Sequence, residues 1–220
     1  MNRPTPAFAG LALALALLPL LAGCQTAYYK TMETFGYEKR DILVDRVESA
    51  RDQQQDAKEQ FTSALEQFKS VVAFDGGDLE DMYDKLDRDY QRSEKAADAV
   101  SGKIESVDKV ANALFDEWED ELDEYENAEL RDASEKQLED TRDRYAQMLK
   151  AMRKAEATMP PVLSAMKDQV LFLKHNLNAQ AVASIQGTAE GIQRDIESLI
   201  REMQRSIDEA NAFIDEMGGG

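Results

Sequence analysis

Cysteine, histidine and tryptophan occur once each in 220 residues, at Cys24, His175 and Trp118. A single cysteine excludes an intrachain disulfide in any redox compartment. One cysteine and one histidine fall short of the ligand set of a zinc site. Position 172 is Phe, where a helical di-iron site would set a glutamate three residues before His175. There is no glycine-rich phosphate loop and no nucleophile elbow. Asp75-Gly76-Gly77-Asp78 lacks the ligand spacing of an EF-hand. Positive charge is scarce as well: 26 Lys and Arg stand against 44 Asp and Glu, a formal net charge of −18. Such a surface repels phosphate backbones, which argues against nucleic acid as a partner. The expectation is a protein with no cofactor and no enzymatic activity.

Helix breakers are few, five prolines and eleven glycines. Leu, Ala, Glu, Asp, Lys, Arg and Gln dominate, the composition of long helices. Apolar residues make up 43%, enough to build a core. The acidity has two readings. It keeps a helical surface soluble, or it meets a cation or a basic protein.

Residues 1–23 read as a removable leader. Arg3 is their one side-chain charge, and Ala7 to Leu21 is nearly all Ala and Leu. That run is shorter than the ~20 residues a membrane span requires. Leu21-Ala22-Gly23-Cys24 closes it. Small residues directly before a cysteine are the pattern of a lipobox, so Cys24 is the expected lipidation site and membrane anchor. Gln25 follows it, not Asp. By resemblance to Gram-negative lipoproteins, this implies export to the outer membrane, facing the periplasm. Residues 24–40 form a short tether carrying Tyr28, Tyr29, Phe35 and Tyr37. These aromatics fit either the lipid head-group level or the end of the following domain.

From residue 41 to 217 apolar positions alternate steps of four and three. One stripe is Leu43, Val47, Ala50, Gln54, Ala57, Phe61, Ala64, Phe68, Val71; the next runs from Leu79 through Leu86, Ser93, Ile104 and Leu114 to Tyr125. A third runs from Leu130 through Leu138, Tyr145 and Met148 to Ala155, and the last from Ile185 through Ile196, Ser206 and Phe213 to Met217. Each stripe must be covered by another helix. Short connections at 75–78 and 127–129 favour antiparallel neighbours. The fold class expected is therefore all-α, an elongated antiparallel helical bundle or coiled coil after a lipoprotein signal peptide. A parallel homo-oligomeric coiled coil is the alternative. Residues 218–220 are a flexible glycine tail.

Two segments stand apart. Met159-Pro160-Pro161 should break or kink the third helix, because proline lacks a donor and clashes with the preceding turn. Around 174–185 the seam slips, stepping Leu177, Ala181, Ile185, Ala189 by fours. Either one long helix runs through with His175 and Asn178 as a polar core layer, or the chain reverses there. Continuity is the reading favoured. Between Asp116 and Glu129 nine carboxylates occur without a base. Asp116, Glu119, Asp120 and Asp123 are weak candidates for a divalent cation, against the plainer reading of a solvated helix end.

The stretches 37–61, 74–86 (FDGGDLEDMYDKL), 113–122 (ALFDEWEDEL) and 169–187 (QVLFLKHNLNAQAVASIQG) resemble a proteobacterial lipoprotein family classed as a domain of unknown function. The resemblance covers nearly all the chain after Cys24. It implies a helical fold and an envelope location and brings no catalytic residues. The function expected is a membrane-anchored, non-enzymatic scaffold or interaction module with an envelope protein partner. A bundle that binds a ligand or a divalent cation is the alternative.

Overall fold

The structure is a computed structural model that describes residues 39–73, 76 and 78–218. Cys24, the leader and the tether aromatics lie outside the described residues. Leu43–Gly220 form one compact unit and Met1–Ile42 a separate one, of which only 39–42 are described, as the start of the first helix. Four helices make up 94% of the described residues, and no strand occurs among them. They are α1 (Lys39–Val72), α2 (Leu79–Leu122), α3 (Ala128–His175) and α4 (Ala179–Gly218).

Each reversal is written in local chemistry. Gly76 takes a positive φ of 145°, a conformation that side chains disfavour. Asp78 then caps α2, its carboxylate accepting from the amides of Glu80 at 2.9 Å and Asp81 at 3.3 Å. Asn127 caps α3 in the same way, accepting from Glu129 at 2.9 Å and Leu130 at 3.2 Å. At the third turn the Asn176 amide donates to the Leu173 carbonyl at 3.0 Å. The Asn178 side chain accepts from the Ala181 amide at 3.0 Å.

That third turn corrects two expectations. The chain reverses at 176–178, so no single helix runs from Pro161 to Met217. His175 and Asn178 are exposed and form no core layer. Asn176 and Asn178 satisfy helix-end groups, the role for which Asn suits termini better than helix interiors. The phase slip marks the passage from one helix's seam to the next. α3, in turn, passes unbroken through Pro160-Pro161. Both prolines are exposed, while Met159 and Val162 beside them are buried. Interior proline costs about 3 kcal/mol. Burial of Met159, Val162, Met166, Val170 and Leu173 along the same seam offsets it.

Inter-helix bonds fix an antiparallel register on all four sides. Gln60 Nε2 donates to the Asp89 carbonyl across α1 and α2. Arg142 reaches Glu119 across α2 and α3 at 2.7 Å. Lys154 pairs with Glu202 across α3 and α4 at 2.9 Å, and Arg144 pairs with Glu216. Between α1 and α4, Arg51 bonds Asn211, Lys58 bonds Gln204 and Gln186 bonds the Val72 carbonyl. This register puts Phe61, Met159 and Leu199 at one level, all buried. Gln54, Met152 and Ser206 share another.

Gln54 and Ser206 are the polar pair in the core. Both are fully buried, and Ser206 Oγ donates to Gln54 Oε1 at 2.8 Å. Gln54 Nε2 has no partner. An unmet buried donor costs roughly 1–3 kcal/mol. Replacing Gln54 by Leu should therefore raise the unfolding free energy by about 1 kcal/mol, with the Ser206 hydroxyl turning to a carbonyl of its own helix. Ile104→Asp should lower it by about 3 kcal/mol or more, since it strands a charge at a fully buried seam position. Urea melts of the two variants check both signs. A destabilised Gln54→Leu or an unaffected Ile104→Asp would contradict this packing.

Candidate functional site

The face between α2 and α3 carries a polar network, and a groove opens beside it. Small side chains create the hollow: Ala97 and Ser101 on α2 face Ala157 and Ser164 on α3. The space measures about 760 Å³ and is open to solvent, since Glu94, Asp98, Ala157, Pro160 and Lys167 on its walls are exposed. Glu94 and Asp98 line the α2 wall; Arg153 and Lys167 line the α3 wall. Pro160 and Pro161 have no amide hydrogen, so the carbonyls of Glu156 and Ala157 lack their helical donors. Glu156 and Ala157 border the groove. The arrangement offers carboxylates and cations along one open channel. It suits recognition of a charged, hydrogen-bonding molecule.

Tyr90 closes one end. Its hydroxyl donates to Glu94 Oε1 at 2.9 Å. Burial, first, and then the bond to Glu94 and the nearby negative charges push its pKa from 10.0 up to about 12. Below the groove, Tyr145 donates to Asp108 Oδ1 at 2.8 Å, and Arg153 stands 3.9 Å from the other Asp108 oxygen. Arg153 also donates to Glu156 at 3.0 Å. Burial and the bond to Asp108 raise the Tyr145 pKa strongly. Its ring meets Phe115 edge-on at 5.4 Å and Phe213 at 6.3 Å, tying α2, α3 and α4 together. Arg142 sits 5.5 Å from the Phe115 ring centroid while pairing with Glu119.

The residues singled out in the sequence sit elsewhere. Asp116, Glu119 and Asp120 follow one another along an exposed stretch of α2, Asp123 stands exposed at its C-terminal cap, and Glu119 is occupied by Arg142. Among the described residues, no three His, Cys, Asp or Glu side chains converge as a metal cluster. His175 ends α3 and Asn178 precedes α4, and neither lines the groove, whose α3 wall runs from Arg153 to Lys167. Sequence reasoning missed the groove and the Tyr145–Asp108–Arg153 network. One signal was available: Ala157, Pro160 and Ser164 at helical spacing mark a thinned stripe on α3.

The family comparison agrees with this extent of regular structure. The chain belongs to the family described as Protein of unknown function (DUF2959), whose model matches residues 28–217. The DUF2959 match spans all four helices and the residues just before α1. No curated protein and no solved structure matches the chain.

The tyrosines make the network testable. In both, the folded chain favours the neutral phenol. Their stabilisation is complete below the ordinary pKa of 10.0 and is lost as pH rises through the folded values, for Tyr90 between 10.0 and about 12. The urea midpoint should hold up to about pH 10 and then fall. The Tyr90→Phe, Tyr145→Phe double variant should fall less steeply. Equal slopes in the two proteins would show that these phenols are not held by Glu94 and Asp108.

Proposed function

We propose that this DUF2959 chain is a lipid-anchored protein of the bacterial cell envelope, held at Cys24 and working as a non-enzymatic helical scaffold or interaction module. The observation that carries the reading is Leu21-Ala22-Gly23-Cys24 closing an Ala/Leu run, ahead of a bundle that fills its seams with its own side chains. Cleavage before Cys24 makes it the N-terminal residue, and acylation supplies the hold. Each buried methylene contributes about 0.8 kcal/mol, so two or three chains retain the protein on a bilayer. No helix among the described residues is long and apolar enough to cross a membrane. Gln25 after the cysteine favours the outer membrane, with the bundle in the periplasm. The bundle then acts through its outer faces, on a protein partner of the envelope.

A second reading, ligand binding, draws on one observation, the open groove bounded by Glu94, Asp98, Arg153 and Lys167.

Mass spectrometry of the mature N-terminus tests the anchor. The expected product begins at Cys24 and carries acyl chains, and Cys24→Ser moves the protein from the membrane fraction to the soluble one. An unmodified Cys24 or a different cleavage site overturns the reading.

A further inference from the structure

We propose that the two ends of the bundle bind each other between copies of this chain, head to tail. Five large apolar side chains are exposed among the described residues, and all sit beside two turns. Tyr125 and Leu130 flank the α2–α3 turn, 42% and 58% exposed. Leu171, Phe172 and Leu177 flank the α3–α4 turn, 46%, 39% and 42% exposed. These turns are at opposite ends of α3, whose 48 residues span roughly 70 Å. They cannot meet within one molecule.

Their charges are complementary. From Glu119 to Leu130 the chain holds seven carboxylates and no base. From Gln169 to Ala189 it holds no carboxylate, although 44 of its 220 residues are acidic, and it carries Lys174 and His175, both exposed. An apolar tip ringed by carboxylates fits an apolar corner that bears Lys174 and no carboxylate. Asp78, Glu80 and Asp81 at the start of α2 lie at the cationic corner's end of the bundle. Asp78 is engaged as a helix cap. The other two repel an incoming acidic tip and direct it onto the α3–α4 side. A lipid surface would use the cationic corner but leave Tyr125 and Leu130 unexplained; a second copy uses both.

The contact joins two different surfaces, so its repetition builds an open row, not a closed dimer. Both patches are small, which places the contact among weak, reversible ones, and exposed charges make it salt-sensitive. The inference is independent of the anchor: a failed lipidation test leaves it standing, and its own failure leaves the anchor standing.

A photo-reactive amino acid at position 130 of the full chain, activated in the cells that make it, provides the test. The expected adduct has twice the mass of the chain and joins position 130 to a peptide within 169–189. Leu177→Asp in the same chain abolishes it, with helical content unchanged by circular dichroism. Co-expression supplies the decisive arm. A chain with the probe and Leu177→Asp should still link to a tagged chain carrying Leu130→Asp, because one intact head meets one intact tail. A monomer only, an adduct to lipid or to another protein, an adduct that survives Leu177→Asp when that chain is expressed alone, or no adduct in the co-expression arm overturns the proposal.

Discussion

Apolar side chains repeating every three and four residues leave a helix with a stripe that water does not tolerate, and no single helix covers its own stripe. Every other feature of this bundle follows from covering four such stripes at once. The turns at 73–78, 123–127 and 176–178 bring each stripe against antiparallel neighbours. Layers such as Phe61, Met159 and Leu199 then fill the shared axis. Burial of this kind is strong enough to carry α3 across two prolines. The interior seam is served by Met159 and Val162 while the prolines stay outside.

Apolar burial alone does not choose a register, because neighbouring layers of similar volume exchange at little cost. Polar contacts make that choice. Gln54 with Ser206 aligns α1 with α4 from inside the core. Trp118 with Ser134, Arg142 with Glu119 and Tyr145 with Asp108 align α2 with α3 from its flank. The orphan amide of Gln54 costs stability, and its return is specificity, as for single polar residues in coiled-coil seams. The groove is a by-product of the same design. Where α2 and α3 present alanine and serine to each other, the seam holds below and the surface opens above.

Much of the fold was legible in the sequence because heptad spacing is a local, periodic signal. All nine positions from Leu43 to Val71 assigned to the first seam are buried, as are Ile185 through Phe213 in the last. The failures came where one residue type serves two purposes. Asn176 and Asn178 fit a polar core layer or a helix cap, and only the neighbouring helix decides between them. Pro160-Pro161 signals a break, yet proline's cost is finite and the burial that outweighs it is a sum over distant residues. The groove was not legible, since small residues at helical spacing read equally as close packing. Gln54 and Ser206 lay on the seam in plain view, but their pairing requires knowing that α1 lies beside α4.

The reversal at 176–178 is the hinge of this account, because without it α4 cannot reach α1 or close the core. Spin labels at Lys150→Cys and Asp208→Cys, in a chain carrying Cys24→Ser, measure it directly. Both positions are exposed, and the register places them on adjacent antiparallel helices at nearly one level. Pulsed electron resonance should give a separation of about 10–20 Å, one helix spacing plus the label arms. A helix continuous through this region would hold them about 85 Å apart at 1.5 Å per residue, and a distance in that range would contradict the bundle.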